Sequence, residues 1–373
     1  MAAGLFVRSL VNVTRVELGV NTENLIAFGI SPELNGYTPE RSRALFERVE
    51  DELAALPGVT KVTASLVPLL GGNNWGNSVS VQGFEAGPDT DVHSNYNEVG
   101  PGYFNTVGVP VLAGREFTRA DVTGAGKVAI VNETFARKFK LGRDAVGKFM
   151  SDSVGNNAKL DIEILGLVQD AKYSEVKDEI PPLFFRPYRQ NERLGFIGFY
   201  VKTGVSPEQL MPAINGVIAR LDPNLPVENL KTVDQQVREN VFLDRMISTL
   251  SAAFALLATL LAAIGLYGVL AYTVAQRTRE IGVRMALGAD GGRVRGMVLR
   301  QVALMTGIGG IVGLAAAVGI GRAAQSLLFQ MNGTDPIVFA TSAFVLVLVA
   351  LAAGFLPAQK ASKIDPMVAL RYE

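Results

Sequence analysis

Long uncharged runs dominate the last third of the chain. Three of them contain no Asp, Glu, Lys, Arg or His: Met246–Gln276, Gln301–Gly321 and Pro336–Gln359. A helix needs about 20 mainly apolar residues to cross about 30 Å of hydrocarbon, and each run is long enough. One charge at mid-helix costs about 3 kcal/mol on insertion scales. The pattern therefore predicts three transmembrane α-helices, with spans at about 247–275, 301–321 and 337–358.

The earlier residues show the shorter periods of strands and amphipathic helices. Thr38-Pro39-Glu40 and Ser206-Pro207-Glu208 each supply a cap followed by Pro at the first helical position. The helices that they open carry apolar residues at spacings of three and four. Strands are predicted at Leu25–Ile30, Val59–Val67, Ser78–Gly83, Lys127–Val131, Leu160–Val168, Phe196–Thr203 and Val227–Leu230. Repeated strand–helix–strand units predict an α+β domain built on a split βαβ layer.

The domain boundaries are predicted from these changes of pattern. Residues 1–20 are predicted to end a transmembrane or stalk helix, 21–235 to form the α+β domain, and 236–373 to form the membrane domain. The residue pattern changes over about 99–191, and this stretch is predicted to be a mixed subdomain inserted into the α+β domain. Val233–Arg245 contains no helix breaker, so a continuous stalk helix is expected to enter the first span.

Charge predicts the orientation of the chain in the membrane. The whole chain has zero net charge, but residues 246–373 carry +5 and residues 1–245 carry −5. Most of the positive charge is arginine between 277 and 300, whereas 322–335 holds only one basic residue. Loops rich in Lys and Arg face the cytoplasm, so 277–300 and the C-terminal tail are predicted inside and the α+β domain outside.

A domain of that size needs an export signal or an earlier span to reach the outside. Met1–Arg8 has neither the length nor the flanks of either. Leu5, Phe6, Leu10, Val11 and Val13 are instead typical of the end of a helix that leaves the membrane. We therefore expect a further transmembrane helix upstream of this sequence.

Candidate chemistry is sparse. The chain has no cysteine, which excludes thiol catalysis, disulfides and cysteine-ligated metals, and its single histidine, His93, lies in a polar stretch. Gly124-Ala-Gly-Lys127 lacks the first Gly and the Ser or Thr of a phosphate-binding loop. No catalytic residue, cofactor or metal ligand is therefore predicted, and no basic aromatic patch indicates nucleic acid. Spans without ionisable side chains also disfavour a proton relay.

Two motifs remain as candidate interaction sites. Small residues recur along the second span at Gly309, Gly313, Ala317 and Gly321, and such a face allows close helix packing. The packing partner is either another helix of this chain or a second subunit.

The second motif is the segment Arg277–Ala289. As a helix it pairs Glu280 with Arg284 at i,i+4 and places Gly282, Ala286 and Ala289 on one line. It is either an amphipathic helix held at the membrane surface by lipid headgroups or a docking helix for a cytoplasmic partner.

The residues of this segment resemble a known family. Arg279-Glu-Ile-Gly-Val-Arg284-x-Ala286-x-Gly288-Ala289 is similar to the cytoplasmic segment of MacB/FtsX-like ABC permeases. The tail Pro357-Ala-x-Lys-Ala361-x-x-Ile364-Asp-Pro-x-x-Ala-Leu-Arg371 resembles that family's C-terminal signature, with Gln359 and Lys363 where the family often has Arg. Gly102-Tyr-Phe104, Gly108–Arg115 and Val128–Asn132 are similar to its periplasmic core domain.

The resemblance implies a four-helix permease unit of the bacterial cytoplasmic (inner) membrane, with the periplasmic domain inserted between helices one and two. Its partner would be a cytoplasmic ABC ATPase, separate or fused, which would carry ATP hydrolysis. The permease would act as a homodimer or as one half of a duplicated permease. ATP-driven closure would then move the periplasmic domains. The implied ATPase-coupling residues are Arg279, Glu280, Ile281, Gly282, Arg284, Ala286, Gly288 and Ala289.

The predicted function is that of a permease subunit in an ABC-type export or mechanotransmission system. A periplasmic adaptor or an outer-membrane component is a further expected partner. The alternative is an envelope regulator that activates a cell-wall hydrolase or adaptor and transports nothing. A third, weaker interpretation is an inert truncated paralogue.

Overall fold

The structure, a computed structural model, describes residues 1–155, 158–287 and 290–362. It divides into two compact units. The membrane unit contains Met1–Arg15 and the chain from Phe242 onward, and the sheet unit contains Val16–Val241. The domain boundaries predicted from the sequence at residues 20 and 235 remain predictions. The same holds for the boundaries of the inserted subdomain.

One sheet of twelve strands runs through the described part of the sheet unit. The strands are β1 (Leu25–Ile30), β2 (Val59–Ser65), β3 (Gly76–Ser78), β4 (Ser80–Val81), β5 (His93–Val99), β6 (Val111–Gly114), β7 (Lys127–Asn132), β8 (Phe149–Ser151), β9 (Ile162–Val168), β10 (Leu183–Pro187), β11 (Ile197–Thr203) and β12 (Glu228–Thr232). Their order is β12-β1-β11-β2-β5-β10-β7-β9-β8-β4, with β3 paired to β5 and β6 paired to β9. The β5–β10 and β7–β9 pairs are parallel.

The described residues also form helices in both units. They are α1 (Ala2–Thr14), α2 (Pro39–Ala54), α3 (Tyr103–Val107), α4 (Glu133–Lys138), α5 (Pro207–Leu221), α6 (Val233–Asn240), α7 (Phe242–Gln276), α8 (Thr278–Ala286), α9 (Gly291–Ala323) and α10 (Pro336–Ala361). The predicted strand–helix–strand units are confirmed, since β1, α2 and β2, and later β11, α5 and β12, follow one another in the chain.

Helices α2 and α5 pack on the part of the sheet formed by β1, β11 and β2. Helix α2 begins where the Thr38 hydroxyl accepts a hydrogen bond from the Arg41 amide at 3.4 Å. Its apolar face buries Phe46 and Leu53 completely, and the Phe46 ring meets the Phe199 ring of β11 edge-on. Burying one such side chain stabilises the fold by about 2 kcal/mol. This cluster fixes both helices to the sheet.

A second, separate core forms around α4. The Asn132 side-chain oxygen accepts hydrogen bonds from the Phe135 amide at 2.8 Å and from the Leu183 amide at 2.9 Å. One side chain therefore caps α4 and ties it to β10. Phe135 and Phe139 then pack against Phe184 in a buried cluster. The motif that ends in Asn132 thus has a structural explanation.

The glycines of the Gly108–Arg115 motif are explained by backbone geometry. Gly108 ends α3 with φ +77°, and Gly114 ends β6 with φ +76°, a region that side chains rarely adopt. A Cβ on Gly114 would overlap the carbonyl oxygen of Leu165. Arg115 then holds Asp121 through two parallel contacts of 2.9 Å. This guanidinium lowers the pKa of the Asp121 carboxyl below its ordinary value.

A partly buried ion network ties three strands together. The Arg186 guanidinium of β10 donates to Glu98 of β5 at 2.7 Å and to Asp152, just after β8, at 2.5 Å. The Asn191 amide donates to the other Glu98 oxygen at 2.6 Å. The Glu98 side chain is only 3% exposed, so its charge depends on these donors.

The described residues of the membrane unit include three helices that are long and apolar enough to cross a membrane. Helices α7, α9 and α10 have mean hydropathies of 2.2, 2.0 and 2.5 over their most apolar windows. The predicted fold class is confirmed: a mixed α/β domain precedes three candidate transmembrane helices. Helix α9 begins at Gly291, before the predicted span, because the arginine-rich residues ahead of residue 301 are helical as well.

The predicted continuous stalk helix is wrong. Helix α6 ends at Asn240 and α7 begins at Phe242, with Val241 between them at φ −100° and ψ 9°. The Asn240 side chain donates to the Leu70 carbonyl at 3.3 Å and accepts from the Val176 amide at 3.1 Å. These bonds fix the end of α6 against two loops of the sheet unit. No Gly or Pro marks the break, so the local sequence gives no signal of it.

We expect Arg186→Met to lower the free energy of unfolding by about 3 kcal/mol, because it leaves the buried Glu98 carboxylate without its cation. Chemical denaturation of the detergent-solubilised chain, followed by the fluorescence of Trp75, its only tryptophan, measures this loss. The control is Arg220→Met, since Arg220 and Glu52 form an exposed pair at 3.4 Å. That pair is worth less than about 1 kcal/mol. Equal losses in both variants would contradict the prediction.

Asp121→Asn is expected to destabilise the chain in a pH-dependent way. Because the folded-state pKa of Asp121 is depressed, its carboxylate stabilises the fold above the unfolded pKa of about 3.9 and stops doing so as the pH falls through the folded pKa. We expect a loss of about 2 kcal/mol at pH 7. The loss should shrink steadily below about pH 4. Urea denaturation of both proteins across this range tests it, and a pH-independent difference would count against it.

Candidate functional site

Helix α8 lies between α7 and α9 and is fastened to the membrane unit through one side. Ile281 is 1% exposed and Gly282 is buried. Ile281 belongs to a buried cluster shared with helices α7, α9 and α10, whose other members are Leu270, Val294, Val298, Val302, Ala350, Ala358 and Ala361. Removing these apolar surfaces from contact with water stabilises the packing of α8 in this cluster.

The opposite side of α8 is exposed and charged. The predicted Glu280–Arg284 ion pair forms at 2.6 Å, with both side chains about half exposed. Arg279 is exposed as well, and Leu287, just after the helix, is 84% exposed. A large apolar side chain beside several charges is typical of a surface that meets another protein or a lipid headgroup layer.

The structure separates the predicted coupling residues into two groups. Ile281 and Gly282 face the membrane unit, so they position α8 rather than present it to a partner. Arg279, Glu280, Arg284 and Ala286 are exposed. The last two predicted residues, Gly288 and Ala289, lie outside the described residues. The same holds for the tail motif from residue 363 onward.

The predicted small-residue face of α9 also divides. A Cβ on Gly321 would overlap the carbonyl oxygen of Gly333, so the backbone of α9 touches the loop before α10 there. A Cβ on Gly309 or Gly313 would meet no atom within 4 Å, and Ala317 is half-buried. Only the Gly321 end of the face therefore explains close packing between the described residues of the chain.

Gly354 is a packing residue that the sequence analysis missed. A Cβ on Gly354 would lie 2.7 Å from a Val302 methyl of α9 and 3.5 Å from a Leu270 methyl of α7. Glycine at this point of α10 thus lets three spans converge. A signal existed, since Gly354 follows two alanines in an otherwise large-residue span. It lacks the repeat at every fourth residue that drew attention to α9.

The open part of the α9 face lines a groove of about 660 Å³ within the membrane unit. Its wall includes Thr259 and Ala263 of α7 together with Gly309, Gly313 and Ala317. The groove is almost wholly apolar, and small side chains on both walls would admit a second helix at close range.

Comparisons with known proteins agree with this organisation. The profile of the MacB-like periplasmic core domain matches residues 2–217. The profile of the FtsX-like permease C-terminal domain matches residues 252–366.

The most similar curated proteins include two kinds of exporter. The macrolide export ATP-binding/permease protein MacB 1/2 of Paracoccus denitrificans is 26% identical over 76% of this chain and 42% of that protein. The pyoverdine export ATP-binding/permease protein PvdT of Pseudomonas aeruginosa is 25% identical over 90% of this chain and 50% of that protein. The chain spans about half the length of the curated relatives that it matches.

Solved structures with weaker similarity come from the same kind of protein. The periplasmic region of MacB from Actinobacillus actinomycetemcomitans is 16% identical, with 61% of this chain and 98% of that chain covered and a TM-score of 0.40. The extracellular domain of the noncanonic ABC-type transporter YknZ from Gram-positive bacteria is 16% identical, with 54% and 100% covered and a TM-score of 0.34.

We expect Gly321→Ala to lower the thermal stability of the detergent-solubilised chain, because the new methyl group must push α9 away from Gly333. Overpacking of this kind costs about 2 kcal/mol. The matched control is Gly313→Ala, which places the same methyl group in open space and removes a helix-destabilising glycine. Circular dichroism melting curves compare the two, and equal melting temperatures would refute the close approach at Gly321.

Proposed function

The chain belongs to the family of FtsX-like permeases that carry a MacB-like periplasmic core domain, and we propose that it couples a cytoplasmic ABC ATPase to movement of that domain. It is a permease component of an ABC-type export or mechanotransmission system. ATP hydrolysis takes place on the ATPase rather than on the residues described above.

The arrangement of α8 is the observation that carries the proposal. On its buried side, Ile281 belongs to an apolar cluster that also contains residues of α7, α9 and α10, and its exposed side presents Arg279, Glu280 and Arg284. A partner that bound the exposed side would therefore act on three spans at once. Since packed helices shift as bodies rather than deform continuously, a push on α8 would be passed along them.

Charge supports a cytoplasmic position for this surface. The segment from Arg277 to Arg300 carries six arginines against Glu280 and Asp290. Such an excess is typical of the cytoplasmic side of a bacterial inner membrane. The large domain would then face the periplasm or the cell exterior, and a cytoplasmic ATPase would have direct access to α8.

We further propose a second permease unit as a partner, either a second copy or the other half of a duplicated permease. The small-residue face at Gly309 and Gly313 supports this, because its small side chains would admit a helix at close range. A periplasmic adaptor or an outer-membrane component is the proposed partner of the periplasmic domain. Two relatives are named for macrolide and pyoverdine export, which supports export as the task of the assembly.

We expect the double variant Glu280→Lys/Arg284→Glu to lose its ATPase. The exchange keeps an ion pair at i,i+4, so α8 should stay folded, while the charges at positions 280 and 284 on the partner-facing side are reversed. The measurement is co-purification with the ABC ATPase that accompanies the wild-type chain from native membranes, together with the ATP hydrolysis rate. A fall of about tenfold or more in the retained ATPase is expected.

The control exchanges Lys231 and Glu239, which lie 2.6 Å apart in the sheet unit with side chains 20% and 51% exposed. Lys231→Glu/Glu239→Lys should leave ATPase binding at the wild-type level. Full binding and coupled hydrolysis in the α8 variant would contradict the proposal. If a cell-wall hydrolase co-purified through the periplasmic domain while no ATPase did, the regulator interpretation would replace it.

A further inference from the structure

One face of α1 packs against the loop between α9 and α10. Leu5, Arg8, Ser9 and Asn12 follow one another at spacings of three, one and three, so they share a face of the helix. Leu5 is 2% exposed and packs in a small cluster with Leu328 of the loop and Val338 of α10.

Three polar contacts extend this apolar anchor. The Arg8 guanidinium donates to the Asp335 carboxylate at 2.6 Å. The Ser9 hydroxyl accepts from the Phe329 amide at 2.9 Å, and the Asn12 amide donates to the Phe329 carbonyl at 3.3 Å. Both backbone groups of one loop residue are therefore held by α1. We call this set of contacts the clasp.

The loop is itself fastened to the helices on either side. The Asp335 oxygen that receives Arg8 also accepts from the Ile337 and Val338 amides, so it caps α10. Within the same loop, the Gln325 side-chain oxygen accepts a hydrogen bond from the Gly333 amide at 2.6 Å. Because Gly333 also touches Gly321, the loop has little freedom to move independently of α9 and α10.

We infer that the clasp makes α1 and the α9–α10 loop move together as one body during the ATPase cycle. This inference rests on the proposed function. The chain continues from α1 directly into the sheet unit at Val16, and it leaves the sheet unit again at Val241, just before α7. The Arg8–Asp335 and Ser9–Phe329 contacts are directional, so they resist both sliding and rotation of α1.

A purely stabilising role would also account for the contacts, and the two roles differ in what happens under ATP. If the contacts only stabilise the fold, the distance between α1 and the loop is free to change during the ATPase cycle. Coordinated movement requires the distance between α1 and the loop to stay constant through the ATPase cycle.

Spin labels test this directly, because the chain contains no cysteine that would have to be removed. Val11 of α1 is 38% exposed and Leu327 of the loop is 53% exposed, so Val11→Cys/Leu327→Cys places labels on both sides of the clasp. In liposomes with the ATPase, the distance between the labels should change by less than about 2 Å between the nucleotide-free and ATP-bound states. A larger nucleotide-dependent change would overturn the inference.

Breaking the clasp should release α1. In the same labelled chain, Arg8→Met/Ser9→Ala/Asn12→Leu is expected to broaden the distance distribution while the chain still binds the ATPase through α8. The control is Arg15→Met, at the end of α1 and outside the clasp, which should keep the narrow distribution. An equally narrow distribution in the clasp variant would show that these contacts do not hold α1.

Locking the clasp completes the test. A disulfide between Ser9→Cys and Phe329→Cys should leave ATP hydrolysis and nucleotide-driven movement of the periplasmic domain intact. If oxidation lowered the rate by about tenfold or more, α1 and the loop would have to separate during the cycle, and the inference would be wrong. Failure of the wild-type chain to bind any ATPase would instead overturn the proposed function, and the nucleotide-free spectra would still report on the clasp.

Discussion

The absence of water inside a bilayer decides where this protein can place specific chemistry. Backbone groups must bond within helices there, and charged side chains are costly, so the middle of each span carries only apolar and small residues. Among the described residues, the ion pairs of the membrane unit lie near its two ends. One end presents the charged face of α8, and the other holds the clasp between α1 and the α9–α10 loop. The spans between these ends are held together by apolar packing.

The sheet unit meets the opposite condition, since polar side chains are inexpensive near water when they are bonded. It uses them as ties between elements, as Asn132 does for α4 and β10 and as Arg186 does for three strands. Two separate apolar cores and one continuous sheet make it resistant to internal deformation.

Periodicity and length were enough to predict the spans, the main strands and the Glu280–Arg284 pair, because each depends on neighbours within a few residues. Contacts between distant segments were not predictable in this way. Val233–Arg245 contains no breaker, yet α6 stops at Asn240 because that side chain bonds to loops far away in sequence. Likewise a regular repeat drew attention to Gly309 and Gly313, whereas the convergence of three spans depends on the isolated Gly354. Spacing shows that a close approach is possible, but only the fold shows where it occurs.

The number of connections determines what kind of movement the sheet unit can receive. The chain passes between the two units at Arg15–Val16 and at Val241–Phe242. If the chain joined the two units at one flexible point only, displacement of the attached helix would leave the sheet unit free to rotate about that point. With two connections, unequal displacement of α1 and α7 turns the sheet unit, and equal displacement shifts it. Val241 separates α6 from α7, so the connection at Val241 resists bending less than one continuous helix would. The clasp constrains the other connection, because it holds α1 to the α9–α10 loop through an ion pair and two hydrogen bonds to the backbone of Phe329.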